Sequence, residues 1–178
     1  MRGYVSDAVA ALGGVDFLVN NASAFGASDD DKGWTSSLAV DMLSIVHATQ
    51  EALPALKKSQ GSVVNISSIA AHHPAARQPP YGAIKAAVIH YTVTQAALYA
   101  KDRIRVNCIA PGSIEFPGGV WDRRKTDNPT LYNTTLASIP FGRTGHAEEI
   151  ANVALFLASP LASWVTGQTI AVAGGQGL

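Results

Sequence analysis

At 178 residues, with 47% hydrophobic and only 15% charged residues, the chain has the size of one domain and enough apolar mass to bury a core. Lys plus Arg and Asp plus Glu both total 13, so no basic field exists to hold a phosphate backbone, and nucleic acid is excluded as a partner class. The apolar runs at 15–19 and 104–110 are far shorter than the roughly 20 residues that span a bilayer. The residues after Met1 lack the apolar stretch of a secretory signal, so the expectation is a soluble, cytoplasmic protein with no membrane partner.

In chain order, Val15–Val19 followed by Asn20-Asn21-Ala22-Ser23 reads as a buried strand ended by turn-forming residues. From about Gly33 to Lys58, the apolar positions Leu38, Met42, Ile45, Val46, Leu53 and Leu56 recur at helical spacing, with Asp29 to Asp31 and Thr35 as candidate caps. Val63 to Ser68 is a β-branched run too brief for a helix and predicts a second strand. Pro79-Pro80 introduces an alanine-rich helix from Tyr81 to Ala100, with proline where the first helical turn tolerates it. Arg103 to Ile109 and Gln168 to Val172 predict two further strands, with a helix from His146 to Ala158 between them. Strands alternating with helices imply a parallel sheet covered on both faces, so the fold class is α/β, a three-layer sandwich forming a single domain over 1–178. Ser113 to Pro140 breaks the rhythm. Without sustained periodicity and with Phe116, Trp121 and Tyr132 in it, that segment is expected to be a long functional loop serving as a substrate lid. The single cysteine, Cys108, lies in an apolar run and is read as core.

The first chemical signal is Tyr81-Gly-Ala-Ile-Lys85, whose spacing of four puts phenol and ammonium on one helix face. A phenol ordinarily titrates near 10, and a neighbouring ammonium is expected to lower that value, so Lys85 is expected to tune Tyr81. The second signal is Ser68, which closes a predicted strand at the rim where parallel sheets hold ligands and precedes Tyr81 by thirteen residues. No cluster of cysteine, histidine or carboxylate has metal-ligand spacing, so no metal site is expected.

Asn65-Ile66-Ser67-Ser68 followed at that interval by Tyr81 and Lys85 resembles the active-site signature of the short-chain dehydrogenase/reductase family. Asn20-Asn21-Ala22-Ser23 is similar to the family's Asn-Asn-Ala-Gly turn, Val106 to Gly112 to its strand ending in Pro-Gly, and Thr166-Gly167-Gln168 with Gly174-Gly175 to its closing segment. The resemblance covers nearly the whole chain, corresponds to the carboxyl-terminal two-thirds of the family, and implies a truncated Rossmann-like three-layer sandwich with a parallel sheet. It implies an oxidoreductase interconverting a small-molecule carbonyl and a secondary alcohol with NAD or NADP. Tyr81 would exchange the proton, Ser68 would hydrogen-bond the substrate oxygen, and Lys85 would serve both the phenol and the nicotinamide ribose. Asn20, Ala22, Ile66, Tyr81, Lys85, Pro111, Gly112 and Ile114 would line the cofactor, and a homodimer or homotetramer would be the assembly.

Four departures from the family pattern stand out. No glycine-rich phosphate-binding turn precedes Val15, so the chain is expected to begin near the end of the family's third helix, leaving the first strand as an apolar edge that invites self-association. Asp41 stands where many members carry an asparagine of the proton relay; water can still bridge to it, and its charge near Lys85 is expected to favour the ammonium and slow proton exchange. Phe116 replaces a common threonine, and Ala173 a common acid. Among other residues, His72 and His73 are expected on a surface loop, His47, His90 and His146 without catalytic roles, Arg123-Arg124-Lys125 solvated, and Trp34 and Trp164 in packing or interfaces. Two alternative readings use the same residues: a Ser68-based esterase with Tyr81 or Lys85 as base, and a catalytically silent dimerising scaffold built on the alanine-rich helix.

Overall fold

Val63 and Val64 are consecutive, wholly buried, and on opposite faces of one strand, and this alternation divides the core in two. The computed structural model describes residues 1–178. Its strands in chain order are β1 (Phe17–Asn20), β2 (Ser62–Ile66), β3 (Arg105–Pro111), β4 (Ile114–Glu115), β5 (Gly145–His146) and β6 (Thr169–Val172). The sheet runs β1-β2-β3-β6 with every pairing parallel, and Asn20, Asn65, Cys108 and Thr169 stand in register across it. The two-residue strands β4 and β5 pair separately.

The helices are α1 (Arg2–Leu12), α2 (Asp31–Ser37), α3 (Ser44–Ser59), α4 (Pro79–Tyr99), α5 (Val120–Asp127), α6 (Pro129–Ala137) and α7 (Ala147–Ala158). One face of the sheet carries α1, α3 and α4, where Val5, Ala48, Ala52, Leu56, Ala96 and Ile104 pack with Val63 and Val106. The other face carries α7, whose Leu157 packs with Val64 and Ile109. Full burial of a side chain the size of Leu56 or Ile109 contributes about 1.5–3 kcal/mol, so these two apolar layers fix the order of helix, sheet and helix. The α/β class and the parallel sheet are as the sequence predicts.

Several local features differ from the expectation. The first long helix does not run unbroken: a π-helical segment, Leu38–Leu43, is inserted between α2 and α3 and carries Asp41 into the interior. The start of α2 is capped by Asp30, which accepts from the Gly33 N–H at 2.7 Å, while Thr35 lies inside α2 and caps nothing. Strand β3 extends through Pro111, two residues beyond the predicted stop at Ile109. Ser113 to Pro140 is not a long loop, because it folds as β4 and the helix pair α5 and α6, the latter opened by Asn128 and Pro129. Glu115 clasps this pair: it ion-pairs with Lys125 of α5 and accepts from the Tyr132 hydroxyl of α6 at 2.9 Å. Arg124 lies 4.5 Å from the Trp121 ring, and Arg123 donates to the Gly118 carbonyl at 2.8 Å, so this basic run is anchored and not simply solvated. No helix is long and apolar enough to cross a membrane.

One polar hub sits between the apolar layers. Asn65, fully buried on β2, accepts from Asn20 Nδ2 at 2.8 Å and donates to Thr92 Oγ1 and Gln95 Oε1, both at 2.9 Å. It ties β1, β2 and α4 together just below the carboxyl ends of the strands, the rim that holds the candidate site.

Candidate active site

Pro79 and Pro80 start α4 in its first turn, where their missing N–H groups cost nothing, and the helix then presents Tyr81 and Lys85 one turn apart toward the end of β2. Close approach of the preceding loop requires the intervening glycine: a Cβ on Gly82 would stand 2.4 Å from that of Ala75. Ser67 and Ser68 follow β2 directly. Ser67 N–H donates to Ile109 O at 2.8 Å and its hydroxyl to the Lys85 carbonyl at 2.7 Å, which locks the end of the strand to α4. The Ser68 hydroxyl accepts from Ala70 N–H at 3.2 Å, capping the short turn Ile69–Ala71.

The structure brings Ser68, Tyr81, Lys85 and Asp41 together. Tyr81, Lys85 and Asp41 are 9%, 3% and 0% exposed, so their charges meet in a low-dielectric environment. Lys85 Nζ lies 5.5 Å from the centre of the Tyr81 ring, donates to the Ile66 carbonyl at 2.9 Å and ion-pairs with Asp41 at 3.1 Å. Asp41 contacts Lys85 directly, in keeping with the expected closeness of the two charges, because the π-helical segment carries its carboxylate to the ammonium. One expectation is corrected here. Tyr81 is not lowered by Lys85. Burial pushes the phenol above the ordinary tyrosine range, the Ser68 hydroxyl pulls it back in part, and the Asp41 carboxylate adds to the rise. The physical reason is chiefly burial, which penalises the phenolate, with the Asp41 carboxylate as a smaller contribution in the same direction. With Nζ engaged by Asp41 and Ile66, Lys85 makes no hydrogen bond to Ser68, so of the two bases the hydrolase reading offers only Tyr81 meets the Ser68 hydroxyl.

A cleft of about 670 Å³ opens beside these residues at the carboxyl ends of the strands. Of the residues the resemblance assigns to the cofactor, Ile66, Tyr81, Lys85, Pro111, Gly112 and Ile114 line it, whereas Asn20 and Ala22 do not. The Asn20 side chain turns inward to Thr49 and Asn65, so its role is to brace the turn. Asn21, Ser23, Phe25 and Trp121 line the cleft and were missed by sequence reasoning. Phe25 carried no sequence signal: its positive φ of 51° folds the ring back to 4.8 Å from that of Tyr81. Trp121 lay inside the predicted lid, where an aromatic beside a glycine pair was the available hint.

The histidines stay out of the chemistry. His72 and His73 are exposed, as expected, and His146 is the N-cap of α7 with Glu149 accepting from its backbone N–H at 2.8 Å. Cys108 is buried, and burial pushes its thiol up, which agrees with a core role. Trp34 donates its indole N–H to Asp29 at 2.9 Å. Trp164 is 98% exposed and packs against nothing within the chain.

A parallel three-layer sandwich with its polar group at the carboxyl rim of the sheet defines the Rossmann-like α/β class. Residues 1–176 match the family model described as enoyl-(acyl carrier protein) reductase. The chain is 35% identical over 174 residues to isoepoxydon dehydrogenase patN of Penicillium expansum, covering 97% of this chain and 67% of that protein. Its structure is similar to 7α-hydroxysteroid dehydrogenase complexed with NADH and 7-oxoglycochenodeoxycholic acid, at TM-score 0.89 and 33% identity, covering 99% of this chain and 71% of the other. It is also similar to a putative 2-deoxy-D-gluconate 3-dehydrogenase from Agrobacterium tumefaciens with bound NADP, at TM-score 0.84 and 34% identity, covering 97% and 73%. The chain belongs to the short-chain dehydrogenase/reductase family. It spans about two-thirds of the length of the patN protein and somewhat more of the two solved structures.

Proposed function

We propose that these residues form the catalytic and substrate-binding part of a cytoplasmic NAD(P)-dependent oxidoreductase that interconverts a carbonyl and a secondary alcohol through Ser68, Tyr81 and Lys85. The observation that carries the reading is the convergence of a buried phenol, an ammonium and a serine hydroxyl on one cleft whose floor is the end of β2 and β3. The dinucleotide supplies the hydride when bound. The cleft suits the nicotinamide and ribose end of such a cofactor, because Ile66, Pro111, Gly112 and Ile114 offer an apolar wall and Lys85 an ammonium at the ribose edge. The backbone at Gly112 passes so close to the β6 end that an added Cβ would stand 2.9 Å from Ala173, which keeps this wall smooth.

In the reductive direction, the raised Tyr81 phenol stays protonated across the neutral range and donates its proton to the substrate oxygen as the carbonyl carbon gains hydride. Ser68 donates a hydrogen bond to the same oxygen and withdraws its charge. Desolvation strengthens both interactions, and the helix pair α5 and α6 with Phe116 and Trp121 at the rim acts as the lid that excludes water. Fluorescence titration of the 178-residue chain with NADPH and NADH tests the cofactor part: saturable binding is expected with at least one of them, weakened in a Gly112→Val variant. No binding of either would remove the oxidoreductase reading for this chain.

The assembly expected is a homo-oligomer. At the β1 edge Val19 is 42% exposed and Phe17 is only partly covered, and Leu155 of α7, at the same end of the cleft, is 64% exposed. An apolar strand edge with unpaired backbone groups pairs with whatever reaches it. Light scattering at micromolar concentration should therefore report a species of at least two chains, and a monodisperse monomer would count against this assembly.

A further inference from the structure

Three donors converge on the buried Asp41 carboxylate. Lys85 Nζ at 3.1 Å and the Ser23 hydroxyl at 2.5 Å meet Oδ1, and the Ala24 N–H at 3.1 Å meets Oδ2. Ser23 is the donor that is both exposed and part of the cleft wall. Its oxygen also accepts from the Phe25 N–H at 3.2 Å, which leaves the hydroxyl proton for Asp41. One side chain thus holds both neighbours of the Tyr81 ring: the Asp41–Lys85 pair beside it, and the Phe25 ring 4.8 Å away on a backbone with φ 51°.

We propose that Ser23 is a positioning residue of this site, whose hydroxyl orients the Asp41 carboxylate against Lys85 and fixes the turn that lays Phe25 on Tyr81. A buried carboxylate left short of a donor keeps its desolvation cost, and its shared oxygen is then free to turn away from the ammonium. An uncharged amide at position 41 pays less for a missing donor than a carboxylate does. The proposal therefore demands that the hydroxyl matter several-fold more while residue 41 carries charge. Its catalytic consequence rests on the reading of Tyr81 as proton donor, but its structural consequence does not.

The test is a double-mutant cycle on the 178-residue chain, read as the thermal midpoint by circular dichroism. Ser23→Ala is expected to lower the midpoint by about 5 °C with Asp41 present and by about 1 °C in the Asp41→Asn background, and Ser23→Thr to restore it. Equal losses in the two backgrounds, or no rescue by threonine, would overturn the proposal. If Ser23→Ala does not fold while Ser23→Ala/Asp41→Asn does, the coupling is larger than expected and the proposal stands; if neither folds, the hydroxyl acts independently of Asp41 and the proposal fails. Carbonyl reduction with NADPH supplies the functional reading, with kcat expected to fall roughly ten-fold in Ser23→Ala and to recover in Ser23→Thr, the size of one charged hydrogen bond. A chain with no turnover at all would sink the oxidoreductase reading but leave the thermal cycle to decide the role of Ser23, because that cycle depends only on the charge at position 41.

Discussion

Tyr81→Phe is expected to lower kcat for carbonyl reduction by roughly 10³-fold, the middle of the range for losing a positioned general acid. The substitution removes one oxygen and keeps the ring, so the packing on Phe25 at 4.8 Å survives and the fold is retained. Lys85 does not replace the phenol as proton donor, because its Nζ is turned to Asp41 and the Ile66 carbonyl. The raised phenol also sets the pH dependence. Reduction consumes the protonated form and should stay level from neutral to mildly alkaline pH, whereas alcohol oxidation consumes the phenolate and should rise with pH throughout that range. Stability moves with the same group. The folded chain holds the Tyr81 proton more tightly than the unfolded chain, so this contribution is fully present below the unfolded value near 10 and is lost as pH rises through the folded one. Tyr81→Phe should thus be relatively less sensitive than the parent chain to alkaline unfolding. Turnover within a few-fold of the parent would show that the proton comes from elsewhere.

The elements that could be read from the sequence are those whose local signals agree with their tertiary setting. The run Val63 to Ile66 is β-branched and buried on both faces, and Pro79-Pro80 starts α4 where proline suits a first turn. Tyr81 and Lys85 needed only helical spacing to be placed together, and the strand end needed only chain order to bring Ser68 beside them. What stayed hidden depends on contacts between segments distant in sequence. Nothing local announces a π-helical turn at Leu38–Leu43, which carries Asp41 to Lys85, and helical spacing alone does not show how deeply the Tyr81 phenol is buried, which is what raises it. Asn20 is assigned to the cofactor by the resemblance of its turn, and nothing local in that turn shows that its amide is taken up by Thr49 and Asn65, residues of α3 and β2. The segment Ser113 to Pro140 lacks an apolar stripe because α5 and α6 bury no residue fully, so a periodicity search finds no helix there. Their order comes instead from caps and from the Glu115 clasp.

Lys85→Met carries the largest expected cost in stability. Methionine fills much the same volume as the aliphatic stem of lysine but leaves the Asp41 carboxylate, which has no exposed surface, without its counter-charge. Breaking a buried pair on one side typically costs about 3–5 kcal/mol, and because Asp41 keeps the Ser23 hydroxyl and the Ala24 N–H the lower end, about 3 kcal/mol, is expected. For a chain of this size that corresponds to a fall in thermal midpoint of roughly 10 °C. The Ile66 carbonyl loses its donor as well, although it stands next to the cleft and water can reach it. If the uncompensated charge is the cause, then removing it should return most of the loss: Lys85→Met/Asp41→Leu should unfold within a few degrees of the parent while remaining inactive, since the pair is replaced by apolar groups of similar volume. Calorimetry on the parent, the single and the double variant measures this directly. A double variant no more stable than Lys85→Met would mean that the lysine stem and the Ile66 contact, rather than the buried charge, hold this part of the fold together.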